Sequence, residues 1–164
     1  MLKHAAGIII FLTFTDDLSR HGYIYLMKHK SKTFEKFKEF QSEVENHRNK
    51  KIKFLQFDRG GDYLSYEFVL HLKQCGIVSQ LMPPGTPQRN GVSGRHNHTL
   101  LDMVRSMLSL TDLPLSFWGY ALETAAFMLN RAPSKNPLRQ HRMNCGLARN
   151  LSCRFLKFGV AMLM

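Results

Sequence analysis

The six residues Ile52-Lys53-Phe54-Leu55-Gln56-Phe57 carry apolar side chains on both faces of a two-residue repeat, and they stop at Asp58 and the pair Gly60-Gly61. A strand that is apolar on both faces must be covered above and below, which places it inside a sheet with a packing layer on each side. Residues 5–14 form a second apolar run, and the β-branched Ile8-Ile9-Ile10 favours a buried strand there too. That run follows a basic start, as a secretory leader would. It lacks a small-x-small cleavage site, meets Asp16-Asp17 at once and is too short to span a membrane. It reads as a strand over 7–15, joined through the polar turn Asp16-Asp17-Leu18-Ser19-Arg20 to a strand over 23–28.

Helical spacing follows. Phe34, Phe37, Phe40 and Val44 predict an amphipathic helix over 32–48. The strand 52–57 comes next, then a helix over 64–74 and a short strand over 77–81. Pro83-Pro84-Gly85-Thr86-Pro87 makes a stiff loop. Leu100, Leu101, Val104, Met107 and Leu108 mark a helix beginning near Gly91. Pro114 opens another, rich in Phe117, Trp118, Tyr120, Leu122, Ala125 and Met128, which stops at Ala132-Pro133. Helices apolar nearly all round are buried or interfacial, so the segment 114–131 is a candidate homo-oligomer contact. Strands followed by alternating helices and strands define an α/β domain. From Asn136 onward no periodicity is legible.

Charge narrows the partner. Twenty-three Lys and Arg against twelve Asp and Glu give +11. Such a surplus favours a polyanion, since each cation set against a phosphate releases condensed counterions. The basic residues interleave with apolar ones and so belong to a folded surface. Cys75, Cys145 and Cys153 include no C-x-x-C pair, and His96 with His98 lacks partner ligands, so no zinc site is indicated. A nuclear or cytoplasmic location without a secretory signal is the expectation.

Asp58 is the candidate for chemistry. An acid just past the end of a buried strand is well placed to hold a metal, although such residues are more often turn formers or helix caps. Its company raises its standing. Thr13-Phe14-Thr15-Asp16-Asp17-Leu18-Ser19-Arg20, Phe57-Asp58-Arg59-Gly60-Gly61-Asp62-Tyr63, Pro84-Gly85-Thr86-Pro87-Gln88-Arg89-Asn90-Gly91-Val92 and Leu113-Pro114-Leu115-Ser116-Phe117-Trp118 stand in one order. Over residues 11–135 the chain resembles the integrase of copia-type retrotransposons. That resemblance implies a ribonuclease H-like α/β fold, here truncated of its first strand. It also implies a D-D-35-E site in which three carboxylates hold two divalent metal ions, magnesium or manganese, for attack on phosphodiester bonds.

Asp58 matches the family's second aspartate and is a metal-ligand candidate. Thirty-five residues (94 − 58 − 1) separate it from the glutamate position, which Gly94 occupies. The first aspartate belongs to an Asp-x-x-Gly-Pro strand upstream of the hairpin, and this sequence shows no such segment. The resemblance places that strand mid-sheet, between the hairpin and the strand ending at Asp58. Two open sheet edges and poor stability are therefore expected. Asp16 and Asp17 match a structural turn. Arg89, Asn90, Arg95 and Asn97 fall near the DNA groove and are the nucleic-acid-binding candidates. The expected function is that of an inactive integrase fragment binding DNA non-specifically. Its rival is a co-opted nucleic-acid- or protein-binding module that uses 114–131.

The domain reading divides the chain at Lys135. With permitted codons shifted by one phase, 136–149 yields Ser-Val-Glu-Thr-Thr-Pro-Tyr-Glu-Leu-Trp-Thr-Gly-Lys, and 157–164 yields Ile-Trp-Gly-Cys-Asp-Ala-Tyr. Both resemble the segments that follow in copia-type integrases. A frameshift near Lys135 follows, making 1–135 a partial core and 136–164 an unstructured tail.

Overall fold

The run of β-branched and aromatic residues near the N-terminus forms β1 (Ile10–Asp16), and all seven of its residues are buried. The structure is a computed structural model, and it describes residues 10–16, 19–57, 65–81, 87–132 and 156–162. β1 pairs antiparallel with β2 (Gly22–Met27), from Ile10↔Met27 to Thr15↔Gly22. Asp16 closes the hairpin. Its Oδ2 accepts hydrogen bonds from the Ser19 amide and hydroxyl, and Arg20 takes a left-handed φ of 61°. This is the structural turn that the sequence implied, although Asp17 lies outside the described residues.

Helix α1 (Thr33–Arg48) ends on Asn49 in the left-handed conformation, as helix ends commonly do. Glu45 then accepts from the Ile52 amide at 3.1 Å, which fixes the approach to β3 (Phe54–Phe57). Ser65 caps α2 (Tyr66–Gln74) by accepting from the Phe68 amide. Gly76, at φ 68°, turns the chain into β4 (Val78–Leu81), which runs parallel to β3. Helix α3 (Pro87–Ser109) starts earlier than Gly91, the start expected from its apolar spacing. A proline at the first helical position loses no hydrogen bond and is already set to a helical φ. A single 3-10 turn (Leu115–Phe117) leads into α4 (Trp118–Arg131).

The period of two in β1 divides the core. Ile10, Leu12 and Phe14 join Phe37, Phe40, Val44, Leu55, Phe57, Phe68 and Leu72 in one cluster, against α1 and α2. Phe11 joins Leu100, Val104, Leu122 and Ala125 on the other face, against α3 and α4. Phe14 stacks on Phe40 with ring centroids 4.0 Å apart, and Phe37 and Phe57 both pack on Phe68. Each such ring contributes roughly 1.5–3 kcal/mol through burial. The result is an α/β/α sandwich, the fold class expected.

One expectation needs correction. Residues 156–162 fall within the segment read as an unstructured tail, yet they form β5 (Leu156–Met162) in the middle of the sheet. The strand order is β2-β1-β5-β3-β4. β5 pairs antiparallel with β1 along its whole length, from Ile10↔Met162 to Asp16↔Leu156, and parallel with β3 from Leu55↔Leu156 to Phe57↔Phe158. The two open edges expected between hairpin and β3 are thus closed. A gap between two strands recruits a third chiefly through backbone hydrogen bonds, which ask for little beyond an extended stretch free of proline. Leu156, Phe158, Val160 and Met162 do alternate with Lys157, Gly159 and Ala161, a short period-two signal that the sequence reading passed over. The rest of 136–164 lies outside the described residues.

The α1–α2 contact generates a pH prediction. The His71 ring packs edge-on to Phe34, and its Nε2 lies 2.9 Å from Gln41 Oε1. Desolvation, then the nearby Lys38, hold its pKa below the ordinary 6.5, with Glu45 opposing. The folded state therefore prefers the neutral ring. Its contribution is present above the ordinary value and is lost as pH falls through the depressed one, because the unfolded chain takes up the proton first. Urea unfolding midpoints should fall on acidification from about pH 8 to about pH 5, and His71→Gln should flatten part of that fall.

Candidate functional site

Parallel strands end at one rim of a sheet, where ligands of such folds commonly bind. β3 ends at Phe57, whose neighbour in β5 is Phe158 and whose next partner across the sheet is Phe14. Asp58 follows Phe57 directly and lies outside the described residues. One row further on, Gly159 pairs with Thr13. Where the resemblance calls for an acid-bearing strand, the occupant reads Leu-Lys-Phe-Gly-Val-Ala-Met and contains no carboxylate.

Helix α3 crosses this region. Ser93, His96, Asn97, Leu100 and Val104 are its buried stripe, at the spacing of one helical face. Gly94 and Arg95 fall off that stripe and are exposed. A Cβ built on Gly94 would meet nothing within 4 Å, so the glycine is not imposed by crowding. Arg89 and Asn90 belong to the first turns of the same helix, and their side chains lie outside the described residues.

Asn97 faces the sheet. Only 9% of it is exposed, and its Oδ1 accepts a 2.9 Å hydrogen bond from the Thr13 hydroxyl. The amide is directed at the sheet and not at solvent, because α3 turns this position inward to pack on β1. It pegs the helix to the strand; of the four nucleic-acid candidates, Arg95 alone is described with an exposed side chain.

Asn130 was not singled out by sequence reading, and His96, expected with His98 to be a solvated surface pair, is buried instead because α3 turns it onto the hairpin. Asn130 of α4 clamps Gly22 from both sides: its Oδ1 accepts from the Gly22 amide at 2.8 Å, and its Nδ2 donates to the Gly22 carbonyl at 2.7 Å. The His96 ring lies so close that a Cβ at Gly22 would come within 2.3 Å of Nε2. Gly22 therefore admits two helices at once. An asparagine inside an otherwise apolar helical stripe was the available signal. Among the described residues, no three His, Cys, Asp or Glu are grouped so as to share a metal ion.

The two glycines predict opposite outcomes. Gly22→Ala drives a methyl into a buried ring and should cost on the order of 1–3 kcal/mol. Gly94→Ala meets open space within a helix and should raise stability by about 1 kcal/mol or somewhat less. Thermal and denaturant melts of both variants check the pair.

The chain is 45% identical over 133 residues to the retrovirus-related Pol polyprotein from transposon TNT 1-94 of Nicotiana tabacum, covering 81% of the chain and 10% of that protein. It is 34% identical over 130 residues to the polyprotein from transposon RE2 of Arabidopsis thaliana, covering 79% of the chain and 9% of the relative. The chain thus spans about a tenth of the length of the relatives it matches. No family model matches. Among solved structures, the integrase of the simian T-cell lymphotropic virus intasome superposes with a TM-score of 0.68 at 18% identity, over 92% of this chain and 52% of that one. The HTLV-2 integrase catalytic core, solved with magnesium, superposes with a TM-score of 0.59 at 20% identity, over 80% of each. The chain is therefore similar in sequence to a segment of copia-type retrotransposon Pol polyproteins, and it has the ribonuclease H-like fold of retroviral integrase cores.

Proposed function

We propose that this chain is a catalytically silent integrase core whose remaining activity is weak, sequence-independent binding of DNA. The observation that carries the reading is the pairing of Gly94, exposed at the glutamate position, with an acid-free β5 in the central slot of the sheet. The HTLV-2 core was solved with magnesium. In this chain the donor set for a magnesium or manganese pair does not fit. A carboxylate about 4 Å from a dication contributes roughly 8 kcal/mol of Coulomb attraction at an effective dielectric of about 20, before desolvation. Millimolar metal binding amounts to only about 4 kcal/mol in all. Asp58 alone, without partners at 94 and on β5, does not make a two-metal site.

The basic surface survives the loss. Lys50, Lys51 and Lys53 are exposed on the approach to β3, as are Lys28, Lys30 and Arg95. Phosphate contacts of this kind position a protein on nucleic acid without reading bases. Such a partner places the chain in the nucleus or cytoplasm. Among the described residues, no helix is long and apolar enough to cross a membrane.

A second reading has its own observation. α4 buries Gly119, Leu122 and Ala125 but leaves Tyr120, Phe127 and Met128 exposed, beside exposed Leu113, Leu115 and Phe117. An apolar face of this extent suits association between copies. Sedimentation across a concentration series separates this reading from a purely monomeric DNA binder.

Purified chain with magnesium or manganese should neither process nor join DNA ends, and Gly94→Glu alone should not switch the reaction on. Metal-dependent strand transfer above an Asp58→Ala control would overturn the assignment. DNA affinity should fall about tenfold or more between roughly 50 and 200 mM salt, alike for unrelated duplexes. Tight binding to one sequence at physiological salt contradicts non-specific binding.

A further inference from the structure

Four of the five strands come from residues 10–81, and the fifth, at the centre, comes from residues 156–162. Arg131 closes α4 and Leu156 opens β5, with 24 residues between them (156 − 131 − 1). Without β5, the facing edges of β1 and β3 would both be open. They flank a deeply buried part of the molecule, where Phe11, Leu12, Phe14 and Leu55 have no exposure at all. Backbone donors and acceptors in such a place need partners, and water is excluded from supplying them.

The cleft is also directional. Its occupant must run antiparallel to β1 and parallel to β3, with seven residues in register on one side and three on the other. Both neighbours are committed by their helices to fixed faces, so a one-residue slip would exchange the faces of the inserted strand. Leu156–Met162 meets these terms with a single charge, no proline and apolar residues at every second position.

We propose that the space between β1 and β3 is a strand-acceptor site for an extended, apolar peptide of seven residues, and that β5 is its built-in occupant, closing the site in cis. A tether of 24 residues reaches about 80 Å when extended, which is ample. It also holds β5 at an effective concentration near the millimolar range, above that of any free strand at ordinary protein concentration. β5 therefore excludes competing strands, whether from a second copy or from another chain. Released from its tether, it becomes exchangeable with added peptide of the same sequence.

Two measurements on the full-length chain test this. In a background with Cys75, Cys145 and Cys153 changed to Ser, Ile10→Cys and Met162→Cys place thiols on directly paired residues. Mild oxidation should give a reducible link within one monomer. Covalent dimers would show that the strand is exchanged between copies, and no link would show that β5 is not in the slot; either overturns the proposal. Separately, a protease site inserted between Asn150 and Leu151 allows the tether to be cut after folding. The cut fragment should co-elute with the body, and a fluorescent peptide of residues 155–164 should exchange into it at least tenfold better than a scrambled one. Separation of the fragment without peptide uptake, or equal uptake of the scrambled peptide, overturns the acceptor site.

Discussion

Every residue of β1 is buried, and every one of its peptide groups must find a partner inside the protein. That requirement organises the molecule. One edge is satisfied by β2 through a tight turn held by the Asp16 carboxylate. The other edge is satisfied by β5, which follows α4 in the sequence. Because β1 is apolar on one face and mixed with threonines on the other, it also needs helices on both sides. The two clusters of buried residues are the two answers to that need.

The threonine face explains how α3 and α4 are held. Apolar packing alone lets a helix slide, whereas a buried hydrogen bond is costly to leave unmade, by roughly 1–3 kcal/mol. Thr13 with Asn97, and Gly22 with Asn130, fix the two helices against the hairpin at defined positions. The same rotation that buries Asn97 exposes Gly94 and Arg95. A fixed helix thus presents the position where a glutamate is expected in the family, and this chain presents no side chain there.

In the function proposed here, fold and chemistry have separated. The architecture of an integrase core survives because packing is distributed over many residues, each replaceable within limits. A two-metal centre depends on a few carboxylates held within a few ångströms, and the loss of any one cannot be shared among neighbours. The basic surface is distributed in the same way as the core, which is why DNA binding outlasts catalysis in the reading favoured here.

The sequence by itself determined the hairpin, the helices α1 to α4 and the strands β3 and β4, because each carries a local period or a cap that physics reads one residue at a time. The resemblance also implied that Gly94 stands at the family's glutamate position, an assignment that rests on spacing counted from Asp58. Two features were decided only in three dimensions. The orientation of α3 sets Asn97 against Thr13, a contact between residues 84 positions apart. Residues 156–162 carried a period too short to stand out, and became a central strand because β1 and β3 left a gap of their length and polarity. No local pattern encodes such a vacancy. It exists only once the rest of the sheet has formed.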